Sequence, residues 1–171
     1  MTPDEAFQTH YHRLTNLARR LVDRQTAEEV AADAIAGLPE SSVAKDSPEV
    51  VAMWLNRVTV NAALNRLRSR RRERQRVAAH GAVAVPTTDE TPEDQIERDD
   101  EQRRVRDVLA RLPDRQATAL LLRHAGHSYA EVAMALGVAD GSVGVLLARG
   151  ERAFRRLWDD PDQQSQDGAI R

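Results

Sequence analysis

Apolar residues return every three or four positions along most of this chain, the spacing of helices with one buried face. Thr2, Pro3 and Glu5 supply a cap, a first-turn proline and a capping-box partner. They open a helix predicted to reach Val22, with Phe7, Tyr11, Leu14, Leu17, Ala18 and Leu21 on one face. Thr26 and Glu29 form a second capping-box pair, and the helix behind them carries Val30, Ala34 and Ile35 before ending near Gly37. Pro39 to Asp46 read as a loop. Ser47 and Pro48 start a long helix through Trp54, Leu55, Val58, Ala62 and Leu67, predicted to end past Arg72. Thr91 and Pro92 cap a further helix to about Leu112, and Pro113 separates it from the next.

The last of these blocks is the most specific. Ser128 and Glu131 form a capping box ahead of a short apolar-periodic helix, Tyr129 to Leu136. Gly137 then supplies a tight turn. A second helix starts near Asp140 and runs to about Trp158, with Val143, Leu147, Gly150, Phe154 and Leu157 on its core side. Two helices joined by a short Gly-containing turn make a helix-turn-helix, whose second helix enters a DNA major groove. The groove side is then Ser142, Gly144, Val145, Leu146, Arg149 and Arg152. Base edges are usually read by Arg, Lys, Asn or Gln. Gly144, Val145 and Leu146 offer apolar contact instead, to thymine methyls or to a protein, or leave recognition to phosphates and DNA shape.

Composition narrows the class. Of 171 residues, 41% are hydrophobic and 30% charged but only 4% aromatic, a helix-rich balance in one domain or two small ones. The chain has no cysteine, which excludes disulfides and thiolate metal sites. His124 and His127 are read as surface residues; no metal and no cofactor is expected. No apolar run reaches membrane-spanning length, and the N-terminal residues lack a basic-then-apolar signal, so the expected location is cytoplasmic, without membrane insertion.

The net charge of −2 hides a strong asymmetry. Seven arginines fall between Arg66 and Arg76, interrupted by one acid, Glu73. Guanidinium groups bind phosphate through paired hydrogen bonds, and each neutralised phosphate steepens the salt dependence of binding. The same charges also suit the C-terminal end of a helix. Beyond them lie Asp89, Glu90, Glu93, Asp94, Glu97, Asp99 and Asp100, read as a solvated acidic linker rather than a cation site. No nucleophile–base pair and no Gly-rich phosphate cradle appears, so neither catalysis nor a small-molecule substrate is expected. Ser128 beside His127 is better explained as a helix cap.

These features together resemble a sigma factor of the sigma-70 family, more narrowly the two-domain extracytoplasmic-function (ECF) group. The stretch LPDRQATALLLRHAGHSYAEVAMALGVADGSV is similar to the family's L-P, apolar helix, then G-x-S-x-x-E-I-A-x-x-L-G-V. WLNRVTVNAALNRLRSRRRE resembles W-L-x-x-I-A-x-N-x-x-x-D-x-x-R-x-x-R-R, and TAEEVAADAI resembles a degraded A-E-D-(apolar)-x-Q-E-x-F helix. The resemblance implies an all-α fold of two small helical domains, the second a helix-turn-helix, joined by a flexible acidic linker. It divides the chain into 1–77, linker 78–100, 101–160 and a disordered tail 161–171. Its implied partners are the RNA polymerase core, promoter DNA and an anti-sigma factor. Glu28, Glu29, Ala32, Asp33 and Ile35 would dock on polymerase. The loop Pro39–Asp46, with the long helix behind it, would read the −10 element and capture a flipped base of the melted strand, and Arg57, Asn61, Asn65, Arg66, Arg68, Arg70, Arg71 and Arg72 would lie near that strand. Arg123, Ser128, Ser142, Gly144, Leu146, Arg149 and Arg152 would face the −35 duplex.

The chain departs from the family at several of these positions. Ala32 stands where Gln is common, Ile35 where an aromatic is, Asn65 for Asp, and Gly144, Leu146 and Ala148 for Lys, Arg and His-like residues. Two other readings therefore stand beside the sigma factor. One is a stand-alone helix-turn-helix regulator binding duplex as a dimer; the other is a sigma-like decoy or adaptor with weakened DNA contacts.

Overall fold

A computed structural model describes residues 2–79 and 93–160, of residue 78 and residues 93–99 the backbone alone. The linker residues 80–92 and the tail 161–171, including the Thr91–Pro92 cap, lie outside the described residues. Among the described residues every regular element is a helix. In order they are α1 Pro3–Ala18, α2 Arg24–Ala36, a 3-10 turn Leu38–Glu40, α3 Pro48–Ala79, α4 Glu93–Arg111, α5 Asp114–His124, α6 Tyr129–Leu136 and α7 Asp140–Asp159.

Local chemistry sets most of the boundaries. Thr2 accepts from the Glu5 amide while Glu5 reaches back to the Thr2 amide, closing the first capping box. The helix stops at Ala18 rather than Val22 because the backbone turns there, with the Leu21 amide on the Ala18 carbonyl at 2.9 Å. That turn drives Leu21 and Val22 into the core. α2 starts earlier than expected. Its cap is Asp23, which accepts from both the amide and the hydroxyl of Thr26 at 3.0 Å, so Thr26 is a capped residue rather than the cap. On α1 the buried positions are Ala6, His10, Leu14, Thr15, Leu17 and Ala18, while Phe7 stays half-exposed and stacks on Tyr11.

α1, α2 and α3 pack on one another, and α5, α6 and α7 do likewise. The two groups are not independent. α3 packs against α4, α5 and α6, and one continuous core runs from Leu17, Val60 and Leu64 to Leu109, Leu122, Val132 and Val143. A second cluster, Leu14, Ile35, Leu38, Val51 and Leu55 with Trp54 against its edge, belongs to the N-terminal helices alone. Each half is near the lower limit for a self-sufficient core, and joining the cores removes more apolar surface from water.

Candidate nucleic-acid interface

The helix-turn-helix is built as its sequence implies. Ser128 accepts from the Glu131 amide and Glu131 accepts from the Ser128 amide at 2.7 Å. Donation from the Ser128 amide, and then from its hydroxyl, holds the Glu131 carboxyl below its ordinary value. Gly137 ends α6 in the left-handed region at φ 62°, with its amide on the Ala133 and Met134 carbonyls. A Cβ there would be strained whatever the space around it. Val143, Leu147 and Gly150 are buried on the inner face of α7, and Gly150 sits so close to α5 that an added Cβ would lie 3.1 Å from Leu120 Cδ1.

The outer face of α7 differs in part from the expected one. Ser142, Val145, Ala148, Arg149 and Arg152 are exposed. Leu146 is not among them: it is half-buried and packs on the main core. Gly144 lies under the Tyr129 ring, whose Cε2 would be 3.8 Å from an added Cβ. Arg152 folds back along its own helix to the Ala148 carbonyl at 3.2 Å. Arg149 lines a cleft with Pro113, Gln116, Arg152 and Arg156. Arg123 is exposed but engaged within the protein. It donates to the His127 carbonyl at 2.8 Å and lies over the Tyr129 ring, 5.5 Å from its centroid. Ser128 spends its hydroxyl on the cap.

The arginine run at the end of α3 is mostly engaged within the protein. Arg68 donates to the Ala110 and Leu112 carbonyls, both at 2.9 Å, and pairs with Asp114. Arg70 pairs with Asp23 and donates to Thr26 Oγ1 at 2.6 Å. Burial pushes the Asp23 carboxyl up, but the Thr26 amide, the Arg70 guanidinium and the Thr26 hydroxyl outweigh it and leave it at about 2. Arg72 donates to Ser69 at 3.1 Å. Arg71 is half-buried; burial first, then Arg111 and Arg74, lower its pKa against the pull of Asp107. Asn65 and Arg66 are exposed and Arg57 is half-buried on α3. Asn61 accepts from the Thr118 hydroxyl at 3.0 Å. The residues that the sequence places along a strand thus include two, Asn61 and Arg68, that instead hold the C-terminal helices.

The sequence matches the Sigma-70 region 2 family over residues 6–73 and the Sigma-70, region 4 family over residues 102–154. Over 161 residues it is 32% identical to the ECF RNA polymerase sigma factor SigM of Mycobacterium tuberculosis, covering 90% of this chain and 76% of that relative. This chain belongs to the ECF sigma factors. It is also 32% identical over 157 residues to the ECF RNA polymerase sigma factor SigE of Mycolicibacterium smegmatis, covering 89% of this chain and 60% of that relative. The sigma factor RpoE of Bartonella quintana, solved with the anti-sigma factor NepR, shares the fold. Its TM-score is 0.53 at 20% identity, over 91% of this chain and 96% of that one. Sigma factors regulate transcription initiation rather than catalyse a reaction.

On α2 of this sigma factor, Glu29, Ala32 and Asp33 are exposed and Glu28, held by Arg24 at 2.8 Å, is half-exposed. Ile35 is only 3% exposed and packs inside the N-terminal cluster, so its side chain belongs to the core and not to an outer docking face. Contacts that sequence reasoning missed join the halves. Asn56, fully buried, meets His127 Nε2 at 3.2 Å. Arg74 pairs with Asp107 at 3.0 Å, and Arg106 donates to the carbonyls of Arg20 and Arg19. No local sequence signal marks them, since their partners lie 33 to 87 residues away. Among the described residues no single helix is long and apolar enough to cross a membrane.

Proposed function

We propose that this ECF sigma factor directs promoter-specific transcription initiation by binding the RNA polymerase core and the −10 and −35 elements, acting in the bacterial cytoplasm where both are found. The observation that carries the reading is the pairing of two matched regions, residues 6–73 and 102–154, with a capped, glycine-turned helix-turn-helix in the second. Residues 1–77 dock on polymerase and read the −10 strand, residues 101–160 read the −35 duplex, and residues 78–100 join them. The exposed α2 residues Glu29, Ala32 and Asp33 form the polymerase face, with Glu28 beside them. Arg57, Asn61, Asn65, Arg66, Arg71 and Arg72 serve the strand, and Ser142, Arg149 and Arg152 border the duplex. Because Asn61 and Arg68 hold α4 and α5, strand binding requires the halves to part first.

An anti-sigma partner belongs at the cleft of about 930 Å³ between the halves. Its floor is Val105, Leu109 and Phe154, and its rim Arg19, Arg106 and Arg155. The test of the whole reading is run-off transcription on fragmented host genomic DNA, with core polymerase alone and with core plus this chain. New transcripts sharing an upstream motif are expected. A chain that binds core without yielding transcripts would point to the decoy or adaptor. A chain that binds specific duplex with no dependence on polymerase would point to the stand-alone regulator.

A further inference from the structure

The outward stripe of α7 is Gly141, Val145, Ala148 and Arg152, at steps of four, three and four residues. All four are exposed, and Val145, at 50%, is the only exposed large hydrophobic residue on the helix. Arg152 bends back onto the Ala148 carbonyl, so the middle of the stripe presents only Val145 and the Ala148 methyl. Cations and hydroxyls flank it: Ser142 and Arg149 on one side, and Tyr129 with Arg123 over its ring on the other.

The chemistry of that arrangement fits a groove better than a protein. A docking surface for a protein helix wants several large apolar side chains, and this one has a single valine and an alanine methyl between polar borders. Small residues let the helix backbone sit deep in a major groove while the borders meet the phosphates. Between Gly141 and Arg152 the stripe carries no side-chain donor or acceptor able to pair with a base edge. What it can contact in a major groove is the thymine C5 methyl, the one apolar group displayed there.

We propose that Val145 and Ala148 read thymine methyls in the upstream promoter duplex, so that specificity at those base pairs comes from apolar contact. This rests on the sigma-factor reading above and specifies what its −35 face recognises. The experiment uses core polymerase with the full chain on the promoter found by run-off, and on the same duplex with deoxyuridine replacing thymidine in the upstream element only. Loss of a buried methyl is expected to weaken complex formation about fourfold per contacted thymine, the equivalent of about 0.8 kcal/mol. Val145→Ala, at a half-exposed position outside the core, is expected to cause a similar loss on the thymidine duplex and little further loss on the deoxyuridine duplex.

Equal affinity for the two duplexes would overturn the inference. So would losses from Val145→Ala and from deoxyuridine that multiply independently, or a Val145→Ala defect in core binding that needs no DNA, which would make the stripe a protein contact. Failure to form any polymerase-dependent promoter complex would overturn the functional reading and this inference with it, an outcome distinct from a complex indifferent to the methyls.

Discussion

Arg68 is the residue whose removal most directly tests how the halves are held together. Its side chain is 21% exposed, and its guanidinium donates to the Ala110 and Leu112 carbonyls and pairs with Asp114. Those two carbonyls lie at the end of α4, where helix carbonyls lack partners within the helix, so Arg68 acts as a C-terminal cap supplied by another helix. Hydrogen bonds from a charged donor contribute about 1.5–3 kcal/mol each. Asp114 is 66% exposed, so its ion pair adds about 0–1 kcal/mol. The parts sum to roughly 3–7 kcal/mol, but water can reach the vacated carbonyls from the Asp114 side, so Arg68→Ala is expected to cost about 2–4 kcal/mol.

That cost falls on the closed arrangement, and about 3 kcal/mol shifts a closed-to-open ratio by roughly a hundredfold. The chain has no cysteine, so dye pairs can be attached at introduced cysteines on exposed Ala32 and Ala139. Energy transfer between them should fall in Arg68→Ala and hold in Asp114→Ala, and the urea midpoint should drop in the first and move little in the second. Arg68→Lys should recover only part of the loss, because one ammonium cannot span three acceptors. Unchanged energy transfer and urea midpoint in Arg68→Ala would refute the clasp. If that variant instead only weakened promoter complexes and flattened their salt dependence, Arg68 would be a phosphate ligand as its sequence position suggested.

Three further outcomes follow from the helix ends and one close approach. Ser128→Ala removes one half of the α6 capping box and should lower stability by about 1 kcal/mol in thermal melting; an unchanged melting temperature would show that the cap is idle. Gly150→Val pushes side-chain atoms into Leu120 and Gln116 and should cost about 1–3 kcal/mol, measured by urea unfolding, whereas a neutral result would mean α5 and α7 can separate freely. The Asp23 carboxyl is lowered from an ordinary 3.8 to about 2, so its contribution is present above about pH 4 and is lost as pH falls toward 2. Screening at this half-exposed site keeps that contribution to about 1 kcal/mol, and Asp23→Asn should flatten the acid limb of a pH–stability curve by that much; an identical limb would refute the pairing.

What was legible in the sequence was local. The boxes at Thr2–Glu5 and Ser128–Glu131, the turn at Gly137 and the buried stripe of Val143, Leu147 and Gly150 each depend on residues within one or two helical turns. The start of α2 is ambiguous in the sequence because both Asp23 and Thr26 stand where a cap could be. Arg70, 47 residues from Asp23, reinforces the aspartate, and no local pattern reveals that. Phe7 fits the apolar periodicity of α1 but remains half-exposed, while His10 is buried, because the inward direction of a helix depends on which neighbours it meets. By charge alone the arginine run is one surface. In the structure its members divide between the α2 cap, the end of α4 and solvent, a division set by tertiary packing rather than by charge.

That division has a consequence for the two DNA-facing surfaces, which are not equally available in the closed form. Asn56 and Thr59 on α3 are fully buried, and Asn61 is bonded to α5. A strand laid along that face must displace α5 and α6. The outer face of α7 is exposed in the same arrangement, and a duplex can approach Val145 and Arg149 without breaking any of the contacts between the halves. Apparent affinity for the strand is therefore reduced by the fraction of molecules that are open, while affinity for the duplex is not. Any partner that opens the molecule raises strand affinity by linkage, and strand binding must in turn favour that partner by the same factor.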